Sequence, residues 1–385
     1  MDSFVVQERL AAATEPSPSS HHPAKLPDGG VPASVVSPRI TVVMPTTDYA
    51  EPFGRCARRV LESLQPAHGD ELIVVFDGQA PAPPAWLADS GARLVATQRR
   101  AGPAAARNLA AKSARGDVLL FVDADVELAP DAVDRVRAAF AADPDLCGVF
   151  GAYDSAPTAP GLVSRFRNLL HHHTHVSHAG PAETFWSGCG AMRTGRFLDL
   201  GGFDTRFRQP SIEDIELGSR AVAAGGRVRL DPGIGCTHHK RWTLRSMIVT
   251  DIRQRAIPWT RLMLATGHVP RRLNVDGRSR ASGLCAVLAA GATLLAPFQP
   301  WALVAALACL AALFLLNRGF YSLCRSTGGL AFAAGAFLLH WLYFTYATLA
   351  FAAVVVDHRV RGPSPAPRGA ALVAEDPAAG ADRRA

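Results

Sequence analysis

The chain has 385 residues, of which only 19% are charged, and a net charge of +7. That length admits one substantial domain with additions, and a positive mean hydropathy is high for a purely soluble protein. Seven scattered cysteines with no Cys-x-x-Cys pair exclude a disulfide framework or a zinc knuckle and suit a reducing, cytosolic setting.

Residues 1–38, rich in Ser, Pro, His and Gly, read as a disordered leader without the basic and apolar regions of a signal peptide. Ile40 to Met44 then reads as a strand and Pro52 to Leu64 as a helix with Phe53, Cys56, Val60 and Leu64 on one face. Glu71 to Phe76 is a second strand ending at Asp77-Gly78, and Arg93 to Thr97 a third. An Ala-rich helix from Pro103 to Ser113 precedes Val118-Leu119-Leu120-Phe121-Val122, an unbroken apolar run of the kind that forms a buried central strand. This alternation predicts an α/β fold with a mixed, mostly parallel nucleotide-binding sheet and flanking helices.

Further on, Pro130 to Phe140 reads as a helix and Val149 to Tyr153 as a strand. The histidine tract 171–178 reads as a polar loop on the acceptor side of a site rather than a metal centre, since no carboxylate or Cys accompanies it. Thr184 to Met192 reads as a strand, Gly201 to Asp204 as a turn, Ile212 to Gly226 as a helix, and Val228 opens the last strand.

Between His238 and Arg280 ten Lys/Arg face only Asp251 and Asp276, so this stretch carries the basic balance. Beside a hydrophobic region such a cluster reads as facing anionic lipid rather than nucleic acid. Residues 241–281 are expected to form a basic amphipathic segment in a membrane interface, broken at Pro258, with Trp242 and Trp259 as anchors. Residues 282–356 are expected to hold about three spans, Ser282–Phe298, Trp301–Leu316 and Gly329–Val356, followed by a disordered tail over 357–385. The implied location is a multi-pass cell-membrane protein with a cytoplasmic catalytic domain.

The chemistry concentrates where the apolar run meets Asp123-Ala124-Asp125 and Glu127. Open α/β sheets bind ligands at the carboxyl ends of their strands. Acids spaced i and i+2 at such an end are most economically compensated by a divalent cation, Mg²⁺ or Mn²⁺, carrying a phosphorylated ligand.

Val42 to Thr46, Val74 to Gly78, Ala106-Arg107-Asn108, Asp123-Ala124-Asp125, Gly201-Gly202-Phe203-Asp204 and Glu213-Asp214-Ile215-Glu216-Leu217 occur in one order. In that order they resemble the family 2 glycosyltransferases of the GT-A fold, over about residues 39–240, and membrane-bound members in particular. The resemblance implies an inverting, metal-dependent hexosyltransferase that moves a sugar from a nucleotide-sugar donor to a membrane lipid, lipid-linked or glycan acceptor. It assigns Pro45, Thr46 and Asp77 to the nucleobase and ribose, Arg107 and Asp123 to the donor, and Asp123, Asp125 and Glu127 to the metal. Asp214 matches the catalytic base; Trp186, Glu213, His238 and His239 are candidates for acceptor or diphosphate contacts. Phe76 and Thr47-Asp48-Tyr49 depart from the family pattern at the base pocket. No Gln-x-x-Arg-Trp motif is present, which favours transfer of single sugars.

Other readings weigh less. A haloacid-dehalogenase-type phosphatase would place Thr or Val where Glu127 stands, and a nucleotidylyltransferase would need a Gly-rich basic loop at Pro45 to Asp48. An inactive scaffold on this fold would have no reason to keep Asp123, Asp125 and Asp214 together.

Overall fold

The computed structural model describes residues 37–362. The expected leader, except for its last two residues, and the tail beyond Gly362 lie outside the described residues.

Nine strands form one sheet: β1 Ile40–Thr46, β2 Glu71–Phe76, β3 Arg93–Ala96, β4 Val118–Val122, β5 Val126–Leu128, β6 Leu146–Tyr153, β7 Gly180–Ala182, β8 Cys189–Arg193 and β9 Arg227–His238. Their order is β3-β2-β1-β4-β8-β6-β9-β5, with β7 also on β9. The helices are α1 Phe53–Ser63, α2 Ala85–Ala88, α3 Pro103–Ala111, α4 Ala132–Ala142, α5 Leu162–Ser177, α6 Thr194–Asp199, α7 Glu213–Ala223, α8 Leu244–Val249, α9 Ile257–Thr266, α10 Gly277–Leu295, α11 Trp301–Leu316 and α12 Arg318–Arg361.

The parallel half of the sheet is the part joined by crossover helices, β3-β2-β1-β4. Beyond β4 the expectation of a mostly parallel sheet fails: β8 runs antiparallel to both β4 and β6, and β5 and β7 run antiparallel to β9. Of these late strands β9 still runs parallel to β6, while β8 enters between β4 and β6 in the opposite sense, which makes the sheet mixed.

The apolar run of β4 is buried on both faces, as a central strand must be. Val118, Leu120 and Val122 enter one core with Phe53, Cys56 and Val60 of α1 and Val133, Val136 and Phe140 of α4. Leu119 and Phe121, pointing the other way, enter a second core with α3, Leu217 of α7 and Phe185, Phe197 and Phe203. Phe121 is fully buried and meets Phe203 edge-on at 5.1 Å between ring centres.

Three local expectations are corrected. Residues 162–177 form α5 rather than a loop; Phe166, Leu169 and Leu170 supply its buried stripe, which the histidines mask in sequence. The expected 184–192 strand pairs in the sheet only from Cys189 on, as β8, leaving Thr184 to Gly188 as a loop against the cavity described below. Pro258 does not break its helix, because a π turn over Thr250–Ala256 precedes it and places it in the first turn of α9. The N–H that Pro258 lacks would have bonded the carbonyl of Gln254. That oxygen instead accepts the Ser211 hydroxyl at 3.0 Å.

The C-terminal region also departs from expectation. Among the described residues one helix, α12, is long and apolar enough to cross a membrane, and α11 is a shorter apolar helix. The three-span, multi-pass arrangement is therefore not supported. α12 begins eleven residues before its expected start and breaks at Gly329, whose φ of +78° suits only glycine. Trp242 and Trp259, expected at a lipid interface, are 7% and 9% exposed and pack inside the protein.

Candidate active site

The carboxyl ends of β1, β2 and β4, the loop before β8, the start of α7 and the end of β9 surround one cavity of about 870 Å³. Pro45, Thr46, Asp77, Arg107, Asp123, Asp125, Trp186, Glu213, Asp214 and His238 all line it. Glu127 and His239 do not. Their side chains pair with each other at 2.7 Å, and Arg59 approaches Glu127 from outside at 3.8 Å. Strand β5 explains this: from Val126 the chain pairs with β9, so Glu127 is carried away from the two aspartates.

Asp123 and Asp125 sit in a turn locked from both sides. The Asp123 N–H donates to the Gly188 carbonyl at 3.1 Å, and the Asp125 carbonyl accepts the His239 N–H at 2.9 Å. Both carboxylates reach the cavity, with side chains 37% and 31% exposed. Burial works against ionising Asp125. The hydrogen bond and charge of His238, whose Nε2 lies 3.5 Å away, and the charge of Lys240 outweigh it and hold the carboxyl below its usual range.

Arg107, expected at the diphosphate, is instead held by two acids. Its guanidinium donates to Asp123 at 2.6 Å and to Glu213 at 3.1 Å, and it is 3% exposed. Glu213 also accepts the Ser211 N–H at 2.8 Å. Asp77, expected to bind base or ribose, accepts the N–H groups of Ala101 and Gly102 and the Thr97 hydroxyl at 2.8–3.0 Å. Its carboxylate is thus engaged in holding the loop before α3. Gly102 there has φ +91°, and a Cβ would lie 2.5 Å from the Arg208 carbonyl oxygen, so no other residue fits.

Asp214 faces the same space from the first turn of α7. Burial first, then the charge of Glu213, pushes its carboxyl up to about 6, against the hydrogen bonds from the Ser187 and Ile215 N–H groups and the charge of Arg107. An acid tuned this way is ionised at neutral pH yet basic enough to take a proton.

An aromatic floor joins the two acid groups. The Tyr153 ring stacks on His238 at 4.5 Å, tilts against His171 at 4.2 Å and meets Trp186 edge-on at 5.0 Å. Trp186 precedes Ser187, which binds Asp214, and His238 reaches Asp125, so the floor runs from one end of the site to the other. Burial, with the charges of His175, Arg255 and Arg167 nearby, keeps His171 well below the usual imidazole range, and burial likewise brings His175 to about 4. Both are neutral at physiological pH.

His171, from the tract expected on the acceptor side, lines the cavity, while several lining residues escaped sequence reasoning: Tyr153, Arg167, Ser187, Asp251, Gln254 and Arg255. Asp251 gave a usable sign, one of only two acids in a basic stretch. It is 3% exposed and binds Arg167 of α5 at 2.6 Å and the Tyr346 hydroxyl of α12 at 2.7 Å, tying the C-terminal helix to the cavity wall.

The two aspartates fit a divalent cation. Both present hard oxygen donors to the cavity, and among the described residues no group of three or more His, Cys, Asp or Glu side chains is arranged to hold a metal alone. A two-carboxylate site of this kind leaves coordination positions for phosphate oxygens and water.

A mixed α/β sheet with paired acids at the end of its central strand and a third, tuned acid across the cavity is a GT-A-like domain. Residues 41–199 match the family model Glycosyl transferase family 2. Over 225 residues it is 28% identical to the pre-mycofactocin glycosyltransferase of Mycobacterium tuberculosis, covering 54% of this chain and 44% of that protein. Over 99 residues it is 35% identical to a TPR repeat-containing protein of Synechococcus elongatus, covering 26% of this chain and 23% of that one. The chain thus spans less than half the length of these curated relatives. Among solved structures, the mannosyltransferase PcManGT from Pyrobaculum calidifontis, in complex with GDP-Man and Mn²⁺, aligns with 84% of this chain and 87% of its own at 20% identity and a TM-score of 0.45.

Proposed function

We infer that the protein transfers a single sugar from a nucleotide-sugar donor to an acceptor hydroxyl, with inversion and with a divalent cation, at a cytoplasmic membrane surface. One observation carries this reading: Arg107 binds Asp123 on the donor side and Glu213, the chain neighbour of Asp214, on the other. That link fixes the donor acids and the base in one frame within one cavity.

Pro45 and Thr46, at the rim of β1, would wall the nucleobase; Asp77 would shape that wall through the loop it holds. Asp123 and Asp125 would hold the cation and with it the diphosphate. When bound, a divalent cation neutralises charge growing on the departing nucleoside diphosphate. Asp214 takes the proton from the acceptor hydroxyl as it attacks the anomeric carbon. Its neighbour Glu213 is occupied by Arg107 and Ser211. This leaves Asp214, bound by N–H and hydroxyl donors rather than by a cation, as the base on that side and supports one displacement, which inverts. Membrane association is supported by α12 and by exposed Leu294, Phe298 and Trp301 in a stretch, 281–317, that carries no charged residue.

Full-length protein in detergent, given UDP-, GDP- and TDP-sugars with Mn²⁺ and a membrane lipid extract as acceptor source, should release a nucleoside diphosphate from one donor class. Asp125→Ala and Asp214→Asn should each abolish release. Release that persists in both variants overturns the reading.

A further inference from the structure

The cavity contains a cation that the chemistry above does not use. Arg255, on the π turn between α8 and α9, is half-buried and lines the cavity. Among the described residues it makes no ion pair and no hydrogen bond. Tyr153, His171, His175 and Tyr343 lie within range of its charge. The two deeply buried guanidinium groups nearby are both matched, Arg107 by Asp123 and Glu213, Arg167 by Asp251. A guanidinium drawn out of water without a counter-charge is costly until a ligand supplies one. His171 repeats the pattern on the facing wall, where its Nδ1 is buried without a hydrogen-bond partner.

The position of Arg255 separates it from the donor. Donor-side residues come from the ends of β1, β2 and β4. Arg255 comes from the helical segment after β9, and the carbonyl of its neighbour Gln254 is bound to Ser211, two residues before Glu213. It therefore stands on the Asp214 side. Four and eight residues further on, Trp259 and Met263 continue the same helix face and line the same cavity, as does Phe351 of α12. A cationic position thus leads into an apolar wall formed partly by the helix long enough to cross a membrane.

Resting on the glycosyl-transfer reading, we propose that Arg255 is the anchor of an anion subsite for the acceptor, which is an acid-bearing amphiphile. Its phosphate or carboxylate pairs with Arg255, His171 offers a second polar contact, and its apolar part lies along Trp259 and Met263. The π turn serves this purpose by turning Arg255 into the cavity while Asp251, on the same turn, stays locked to Arg167.

Calorimetric titration of the full chain in nonionic detergent tests the subsite with decyl phosphate and decanoate as anionic amphiphiles, decanol as the neutral one and inorganic phosphate as the free anion. UDP and GDP with Mn²⁺ report on the donor side. Wild-type protein should bind an anionic amphiphile more tightly than decanol or inorganic phosphate, and whichever of decyl phosphate and decanoate binds identifies the acid. Arg255→Ala should weaken that binding roughly ten- to hundredfold, with Arg255→Lys restoring part of it. Nucleoside diphosphate affinity and the melting temperature should stay at wild-type values. The exposed Arg261→Ala variant controls for partition into micelles and should behave as wild type. Equal affinity for decanol and the anionic amphiphiles overturns the proposal, as does a loss in Arg255→Ala that falls equally on UDP or GDP. If wild-type protein binds no nucleoside diphosphate, the glycosyl-transfer reading fails instead, while the amphiphile titrations still decide the subsite.

Discussion

Replacing Arg107 with methionine keeps the aliphatic stem and removes the charge that ties the two halves of the site together. The consequences differ for its two partners. The Glu213 side chain is 5% exposed, so its half of the arrangement is a buried ion pair. Breaking such a pair by removing one partner costs about 3–5 kcal/mol, because a buried carboxylate is left without its cation. The Asp123 side chain is 37% exposed, and that half is screened by solvent to below about 1 kcal/mol. The loss is therefore set by Glu213 and corresponds to a fall in melting temperature on the order of 10 °C. A second effect is independent of stability. Arg107 lowers the pKa of Asp214, so without it the carboxyl climbs above its value of about 6. The base is then protonated over a wider range, and the acid limb of kcat/KM moves to higher pH. Thermal melting and a pH–rate profile of Arg107→Met measure the two effects separately. A variant that melts within about 2 °C of wild type and keeps its acid limb would refute the role given to this residue.

Other outcomes follow from single groups. Asp214 works as the ionised form, and with its pKa raised to about 6 activity should fall below that pH, roughly tenfold per unit, and level off above it. A wild-type profile flat down to pH 5 would count against Asp214 as the base. Asp125→Asn should lose most Mn²⁺-dependent nucleoside diphosphate binding, seen by titration, and EDTA should have the same effect on wild-type protein. Phe121→Ala, which empties the centre of an aromatic cluster, should cost about 3–5 kcal/mol in denaturant unfolding without touching the cavity. Gly102→Ala should weaken donor binding more than it lowers stability, since the clash with the Arg208 carbonyl displaces the loop that Asp77 holds at the rim.

How much of this was legible in the sequence depends on whether the determining contacts are local. β1, β2 and β4 announce themselves because a strand buried on both faces must be apolar throughout, and the acids that follow β4 are marked by that contrast. Asp214 was recoverable from the order of motifs. The antiparallel insertion of β8 was not, because its Cys-Gly-Ala-Met-Arg sequence carries no alternation and its register is set by partners on either side. Glu127 was expected as a third ligand by spacing and by resemblance; a three-residue strand, too short to read, turns it to His239. The histidines of α5 concealed a helical stripe, because their ring faces are used as core and floor while the sequence presents them as polar. Pro258 looked like a break, and only the preceding π turn makes it harmless. Arg255 offered no signal at all within a stretch of similar arginines; what sets it apart is its partial burial at the cavity, which only three dimensions reveal.

The insertion of β8 between β4 and β6 bears on how the molecule comes together. β3, β2, β1 and β4 use contacts among residues 40–122 and are complete as a parallel unit once that segment exists. β4 is then an open edge, apolar on both faces and with its outer hydrogen-bonding groups unpaired, until Cys189–Arg193 arrives from about seventy residues later in the chain. Over that interval the strand that carries the site's aspartates is the most adhesive surface of the nascent protein. Long-range closure of this kind is slow. Chains stalled or truncated before residue 193 should therefore aggregate through β4, whereas chains that reach β8 cover that edge and bring Trp186 and Ser187 of the cavity wall with it.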